Sequence, residues 1–120
     1  MKFNSQICTT REQSERLLAL GLKKETADMC YIWELETGAF TLCPEGWSGD
    51  IPAWSLHRLI EMLNKSEVTI SFVERDTSII VERYGVFQNV CEIWDNVYDN
   101  ICDAIEWLIK EGYFNKVYLV

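Results

Sequence analysis

The feature that most constrains the fold is a stretch in the second half of the chain where three strand-like runs are joined by two short turns. Residues 68–73 alternate apolar and small polar side chains with period two, the pattern of a strand with one buried face. Residues 78–84 and 86–94 are rich in β-branched and aromatic side chains, which suit a half-buried sheet. The turns, residues 74–77 and 84–85, are too short for a crossover connection. The sequence therefore predicts an antiparallel three-stranded meander.

An earlier pair of runs has the pattern of a β-hairpin. Residues 29–35 and 39–43 flank the short loop 36–38. The last loop residue, Gly38, suits a position that requires positive φ. Two further strands are therefore predicted ahead of the meander.

Three segments have the signals of helices. The first is predicted to begin at Thr9, which forms a capping-box pattern with Glu12, and to end at Gly21. Ser55 is the predicted N-cap of the second helix. The third is predicted to begin at Asn96 or Asp99 and to stop at Gly112. Six apolar residues of the second and third helices and the first meander strand are predicted to share one core: Leu59, Ile60, Leu63, Phe72, Ile105 and Leu108.

These elements follow one another in the order α-β-β-α-β-β-β-α. Hairpin-linked strands with helices between the strand groups predict an α+β fold. We expect a single domain over residues 1–120, with one antiparallel sheet of about five strands and three helices packed mainly on one face.

The charge balance restricts the classes of partner. The chain has 11 basic and 19 acidic residues and a net charge of -8. A strongly acidic surface is repelled by phosphate backbones and by anionic membranes, so neither direct nucleic-acid binding nor membrane docking is expected. No secretory h-region follows the N-terminus and no apolar run approaches the length of a membrane span, so we expect a cytoplasmic protein.

Three segments, taken together, resemble a known group of proteins. They are residues 8–14, Cys-Thr-Thr-Arg-Glu-Gln-Ser, continuing to residues 27–29, then residues 51–56, and finally residues 103–111. They resemble a group of small uncharacterised proteins from phage and mobile-element regions of gut anaerobic bacteria. The resemblance implies a setting, a viral or mobile genome inside a bacterial cell, and it carries over no catalytic residues.

The residue types that most often carry chemistry show no catalytic or metal-binding motif. The only histidine, His57, falls on the polar side of the second helix and is expected at the surface. The five cysteines form no C-x-x-C pair and are expected to be reduced and to pack as small apolar residues: Cys8, Cys30, Cys43, Cys91 and Cys102. No P-loop, dinucleotide fingerprint or zinc pattern occurs, so no cofactor and no metal are predicted.

Acidic residues are concentrated around the third helix, with only Lys110 nearby to offset them. They are Glu92, Asp95, Asp99, Asp103 and Glu106. The row lacks the ligand order of a calcium loop. It is either a solvated helix face or a recognition surface that presents charge to a basic partner, or imitates a DNA phosphate track.

Trp47 lies between Gly46 and Gly49, in a loop where folding alone does not require a large aromatic residue. It either folds back over the edge of the sheet or anchors a protein interface. The binding residues hypothesised from the sequence are therefore Trp47, Asp95, Asp99, Asp103 and Glu106.

The sequence favours a non-enzymatic protein-binding or inhibitor module with a protein partner. One alternative is a DNA-mimic inhibitor of a host nucleic-acid-binding protein, which needs a continuous stripe of carboxylates. A second is a small enzyme with an unrecognised site, which needs a concave pocket with a buried ionisable group. The oligomeric state does not follow from the sequence.

Overall fold

The structure, a computed structural model, describes residues 6–43, 51–73, 78–90 and 96–120. Within these residues the chain forms three α-helices: α1 (Arg11–Ala19), α2 (Leu56–Leu63) and α3 (Val97–Glu111). Six strands accompany them: β1 (Met29–Glu34), β2 (Ala39–Cys43), β3 (Ile51–Ala53), β4 (Thr69–Val73), β5 (Ser78–Arg83) and β6 (Val86–Asn89). Short 3-10 helices occupy Lys24–Thr26 and Lys116–Tyr118.

The predicted α+β class is confirmed, but the strands form two sheets instead of one. The first sheet has the order β2-β1-β3 and the second the order β4-β5-β6, and every pairing in both is antiparallel. The chain leaves β3 directly into α2, so the two groups of strands are separated by a helix and do not share a hydrogen-bonded edge.

The strand β3 was not predicted. It has three residues and contains Pro52, which has no N–H to donate and is therefore accepted only on an edge strand. Pairing with β1 places Pro52 opposite Cys30 and Ala53 opposite Met29. The segment is a strand because it pairs with β1, and the local sequence around a proline gives no indication of that pairing.

The predicted β1–β2 hairpin is present, but its turn spans residues 35–38 and is one residue longer than the predicted loop, so that Glu34 pairs with Ala39. Gly38, the last residue of the turn, has φ 64°, and its N–H donates to the Glu34 carbonyl over 2.9 Å. The β5–β6 turn consists of Tyr84 and Gly85, as predicted. The predicted turn at 74–77 and the last part of the predicted third strand, residues 91–94, lie outside the described residues.

The first helix begins one residue later than predicted. Thr10 is the N-cap, and its side chain accepts from the Gln13 N–H while the Gln13 side chain accepts from the Thr10 N–H. Thr9 cannot serve because its hydroxyl is buried and bonded to Ser14 and to the N–H of Trp54. The capping box is real, but its members are Thr10 and Gln13 instead of Thr9 and Glu12.

Residues near position 120 close against the end of α1. The N–H of Leu22 bonds the Leu17 carbonyl across Gly21, whose φ is 106°, which is the predicted helix stop. Leu22 then bridges Leu119, and the Val120 N–H donates to the Gly21 carbonyl over 2.8 Å.

The main core lies between α2, α3 and the inner face of the second sheet. Leu59, Leu63, Ile105 and Leu108 are fully buried there, as predicted. The predictions for Ile60 and Phe72 are wrong. On α2 the buried stripe is Leu59, Met62 and Leu63, and Ile60 lies about 100° round the helix from Leu59, at the edge of the buried stripe.

Phe72 faces the same side as the buried Ile79, its partner in β5, but its side chain is 38% exposed. It lies toward the end of β4, at the margin of the core. A smaller cluster under the first sheet contains Cys8, Met29 and Ala53, with Tyr31 and Leu42 packed against it.

Truncating either Leu63 or Leu108 to Ala should lower the free energy of unfolding by about 2 to 5 kcal/mol, because each leaves a cavity in a fully buried site. Urea unfolding measures this. Leu35→Ala is the matched control, since Leu35 is 90% exposed and its truncation should change stability by about 0.5 kcal/mol or less. Equal effects at Leu35 and Leu108 would contradict the assignment of the core.

Candidate functional site

The acidic row of α3 packs against α1. Arg16 donates from Nη2 to Asp103 Oδ1 and to Glu106 Oε2, both over 2.7 Å. Gln13 donates from Nε2 to Asp99 Oδ1 over 2.8 Å. Lys110 pairs with Glu106 over 2.9 Å. The three described carboxylates of the hypothesised binding row therefore bind the protein's own side chains.

These contacts alter proton affinities. The Arg16 and Lys110 side chains hold the pKa of Glu106 below its ordinary value of 4.5. Partial burial alone would lower the pKa of Arg16, but its hydrogen bonds to Glu106 and Asp103 outweigh burial and raise it. DNA mimicry needs a continuous stripe of carboxylates. On the described part of α3, Arg16 of α1 and Lys110 of α3 pair with these carboxylates and interrupt the stripe.

The remaining residues considered in the sequence analysis do not form a common site with the acidic row. Trp47, Asp95 and Cys91 lie outside the described residues. His57 is exposed, as expected, and lies 3.4 Å from the Glu61 carboxylate. Cys8, Cys30 and Cys102 are buried and Cys43 is half-buried. Burial raises the pKa of the Cys102 thiol to about 12, and it also raises that of Cys8, so both suit packing roles.

A cleft that was not predicted lies between the β5–β6 hairpin and the C-terminal end of α3. Its volume is about 330 Å³, and apolar or aromatic side chains make up most of its wall. The residues that line this aromatic cleft are Val81, Arg83, Tyr84, Val86, Gln88, Trp107, Glu111 and Tyr113.

The hairpin turn positions one wall of the aromatic cleft. Tyr84 has φ 52° and Gly85 has φ 76°, so both residues occupy the left-handed region that a two-residue turn of this type requires. Asn is preferred at the first position, and a bulky residue there is strained. Tyr84 is also 90% exposed. The chain therefore holds an aromatic side chain in solvent at a cost in backbone energy.

The guanidinium of Arg83 lies between two tyrosine rings. Its Cζ is 5.1 Å from the centroid of Tyr84 and 4.3 Å from that of Tyr113. Trp107 adjoins Tyr113, with ring centroids 5.9 Å apart. A cation over an aromatic face is attracted by the ring quadrupole. The wall of the cleft therefore already binds one cation of the chain itself.

Glu111 supplies the negative charge of the cleft. It is the last residue of α3, where the helix carbonyls add negative potential. Among the described residues, no basic side chain forms an ion pair with the Glu111 carboxylate. Glu67 and Glu82 line a neighbouring depression that shares Arg83 and Tyr84 with the cleft. The charged side chains of the cleft itself are therefore Arg83 and Glu111.

Comparison with known proteins gives no family. No family model, curated protein or solved structure matches this chain. Over the described ranges, no three His, Cys, Asp or Glu side chains come together in a way that would hold a metal ion. No helix in the same ranges is long and apolar enough to cross a membrane.

Sequence analysis missed the cleft because its two walls come from distant parts of the chain. Trp107 on α3 packs against the main core and also borders the cleft, a second role that its position along the helix does not reveal. The one local signal was Tyr-Gly at a two-residue turn where Asn-Gly is the common choice.

Glu106→Gln should lower stability by about 0.5 kcal/mol near neutral pH, because it removes a partly exposed ion pair with Arg16. Since the folded-state pKa is depressed, the contribution is present above pH 4.5 and is lost as pH falls through the folded-state pKa. The stability difference between wild type and variant should therefore shrink on acidification. Urea unfolding across this pH range measures it, with Glu36→Gln in the exposed β1–β2 loop as control.

Proposed function

We propose that this chain is a non-enzymatic protein-binding or inhibitor module, of phage or mobile-element origin and acting in the cytoplasm, that docks a segment of a partner protein in the aromatic cleft. The composition of the cleft carries the proposal: three aromatic rings and two valines surround a space of about 330 Å³. Aromatic side chains bury a large area at low conformational cost and dominate the energetics of protein interfaces.

The strain at Tyr84 supports a binding role over a purely structural one. A left-handed, 90% exposed tyrosine does little for packing. Strained backbone is retained where the surrounding structure holds it for a function. The alternative of a small enzyme requires a buried ionisable group in a concave pocket. The ionisable residues of the cleft are exposed or half-buried, so the cleft does not support this alternative.

The charge around the cleft favours a basic segment. The chain carries a net charge of -8, and Glu111 faces the cleft from the negative end of α3. The rings of Tyr84 and Tyr113 already accept the Arg83 guanidinium. The partner segment accordingly carries a Lys or Arg side chain next to an apolar or aromatic one.

Selection from a random peptide library against the wild-type protein tests the proposal. Selected peptides should contain a basic residue beside an apolar one. Glu111→Gln should weaken their binding by about 1 kcal/mol, or roughly five-fold, and the loss should shrink at high salt. Isothermal titration calorimetry with synthetic copies measures both effects.

Phe87→Ala is the matched control. Phe87 is 69% exposed on the same hairpin, but it pairs with Glu82 and so lies on the face opposite the cleft. Binding should be unchanged in this variant. Selection of acidic peptides, or binding that depends on Phe87 and not on Glu111, would contradict the proposal.

Tyr84→Asn separates function from stability. Asn tolerates the left-handed region, so the variant should be more stable than the wild type by about 1 kcal/mol in urea unfolding. The same change removes one aromatic wall and should weaken peptide binding by about 1 to 2 kcal/mol. A variant that loses both stability and binding would show that Tyr84 has a structural role instead.

A further inference from the structure

The register of the first sheet places two cysteines directly opposite each other. Cys30 in β1 pairs with Cys43 in β2, the last pair of their ladder. Directly opposed residues of antiparallel strands have Cα atoms about 4.5 to 5.5 Å apart and point to the same face. A disulfide needs Cα atoms about 4.4 to 6.8 Å apart. The backbone therefore already has the spacing of a cross-strand disulfide.

The two thiols differ in accessibility. Cys30 is fully buried, whereas Cys43 is half-buried and open to reagents. Cys8 and Cys102 are both buried and lie elsewhere, in the small cluster and in the main core. Among the described cysteines, Cys43 is thus the one that an external disulfide reaches first, and Cys30 is the thiol next to it.

We infer that Cys30 and Cys43 are a modification site, a cross-strand dithiol that is converted reversibly to a disulfide by a small-molecule disulfide such as glutathione disulfide. This inference concerns the first sheet and is independent of the aromatic cleft. Its chemistry needs no group other than the two thiols and the named oxidant.

The reaction has two exchange steps. The Cys43 thiolate attacks one sulfur of glutathione disulfide, so that a mixed disulfide forms and one glutathione thiolate leaves. The Cys30 sulfur then attacks the Cys43 sulfur. The Cys30–Cys43 bond forms, the second glutathione leaves, and it takes the proton that Cys30 gives up. Two protein thiols are oxidised and one glutathione disulfide is reduced to two thiols.

The bond would fix the base of the β1–β2 ribbon. Cys30 has a strand partner on each side, Cys43 and Pro52, and Pro52 has no N–H to donate to the ladder. Beyond this point the ribbon exposes Ile32, Trp33 and Leu35. Oxidation thus adds a covalent link at the base of this exposed ribbon.

Incubating the native protein with glutathione disulfide, followed by intact mass measurement and peptide mapping, tests the inference. The expected product is lighter by two hydrogen atoms and contains a Cys30–Cys43 linkage. Its melting temperature should rise by an amount on the order of 10 °C, because the bond restricts the unfolded chain. Dithiothreitol should reverse both changes.

Variants in which one cysteine at a time is replaced by serine define the order of the two exchange steps. Cys30→Ser should accumulate the mixed disulfide with glutathione at Cys43, and Cys43→Ser should leave Cys30 unmodified over the same time. Cys8→Ser and Cys102→Ser, as controls, should form the Cys30–Cys43 bond as the wild type does. A linkage of either residue to Cys91, or an absence of any linkage in the folded protein, would overturn the inference.

Discussion

The hydrogen bonds of Trp54 to Thr9 and Thr26 form a junction on which the arrangement of the other elements depends. The Trp54 indole is fully buried, and Nε1 donates to the Thr26 hydroxyl over 2.9 Å. The Trp54 backbone exchanges bonds with Thr9, from the Thr9 N–H to the Trp54 carbonyl and from the Trp54 N–H to the Thr9 hydroxyl. One residue thus joins the segment before α1, the connection between α1 and β1, and the junction of β3 with α2. Because all of these polar groups are paired, burying them carries little penalty.

Ser55, the next residue, connects this junction to α2. Its hydroxyl caps the helix by accepting from the Arg58 N–H, and Asp28 accepts from both the Ser55 N–H and its hydroxyl. Arg58 in turn donates from Nε to the Thr26 carbonyl over 2.7 Å. Together with the Arg16 contacts between α1 and α3, this polar network fixes the angles between elements. The β1–β2 and β5–β6 hairpins extend from that frame and expose the aromatic residues Trp33 and Tyr84, an arrangement suited to contact with other molecules.

The sequence was most informative where one local pattern determines one element. Gly21, Gly38 and Gly112 were predicted as turns or helix ends, and each has positive φ in the structure. The sequence was least informative where pairing between distant residues decides. The identity of β3, the division into two sheets and the cleft beside Trp107 all depend on partners about 20 or more residues away. The acidic row shows the same limit, because a charge count along α3 does not reveal that Arg16 of another helix faces it. The opposition of Cys30 and Cys43 shows this limit too. Counting outward from the predicted loop 36–38 pairs Tyr31 with Cys43, whereas the observed turn is one residue longer and pairs Cys30 with Cys43.

The closure of residues 118–120 on residues 21–23 has a consequence for synthesis of the protein. The Lys23 N–H donates to the Tyr118 carbonyl, and Leu22 bridges Leu119. A nascent chain can form α1 and its capping box early, but the backbone bonds of residues 21–23 must wait for their partners in residues 118–120. Contacts across such a sequence separation also carry a large loop-closure cost. The closure of residues 21–23 therefore forms only after the roughly 95 residues between the two segments have been synthesised, and until then the Lys23 N–H lacks the Tyr118 carbonyl.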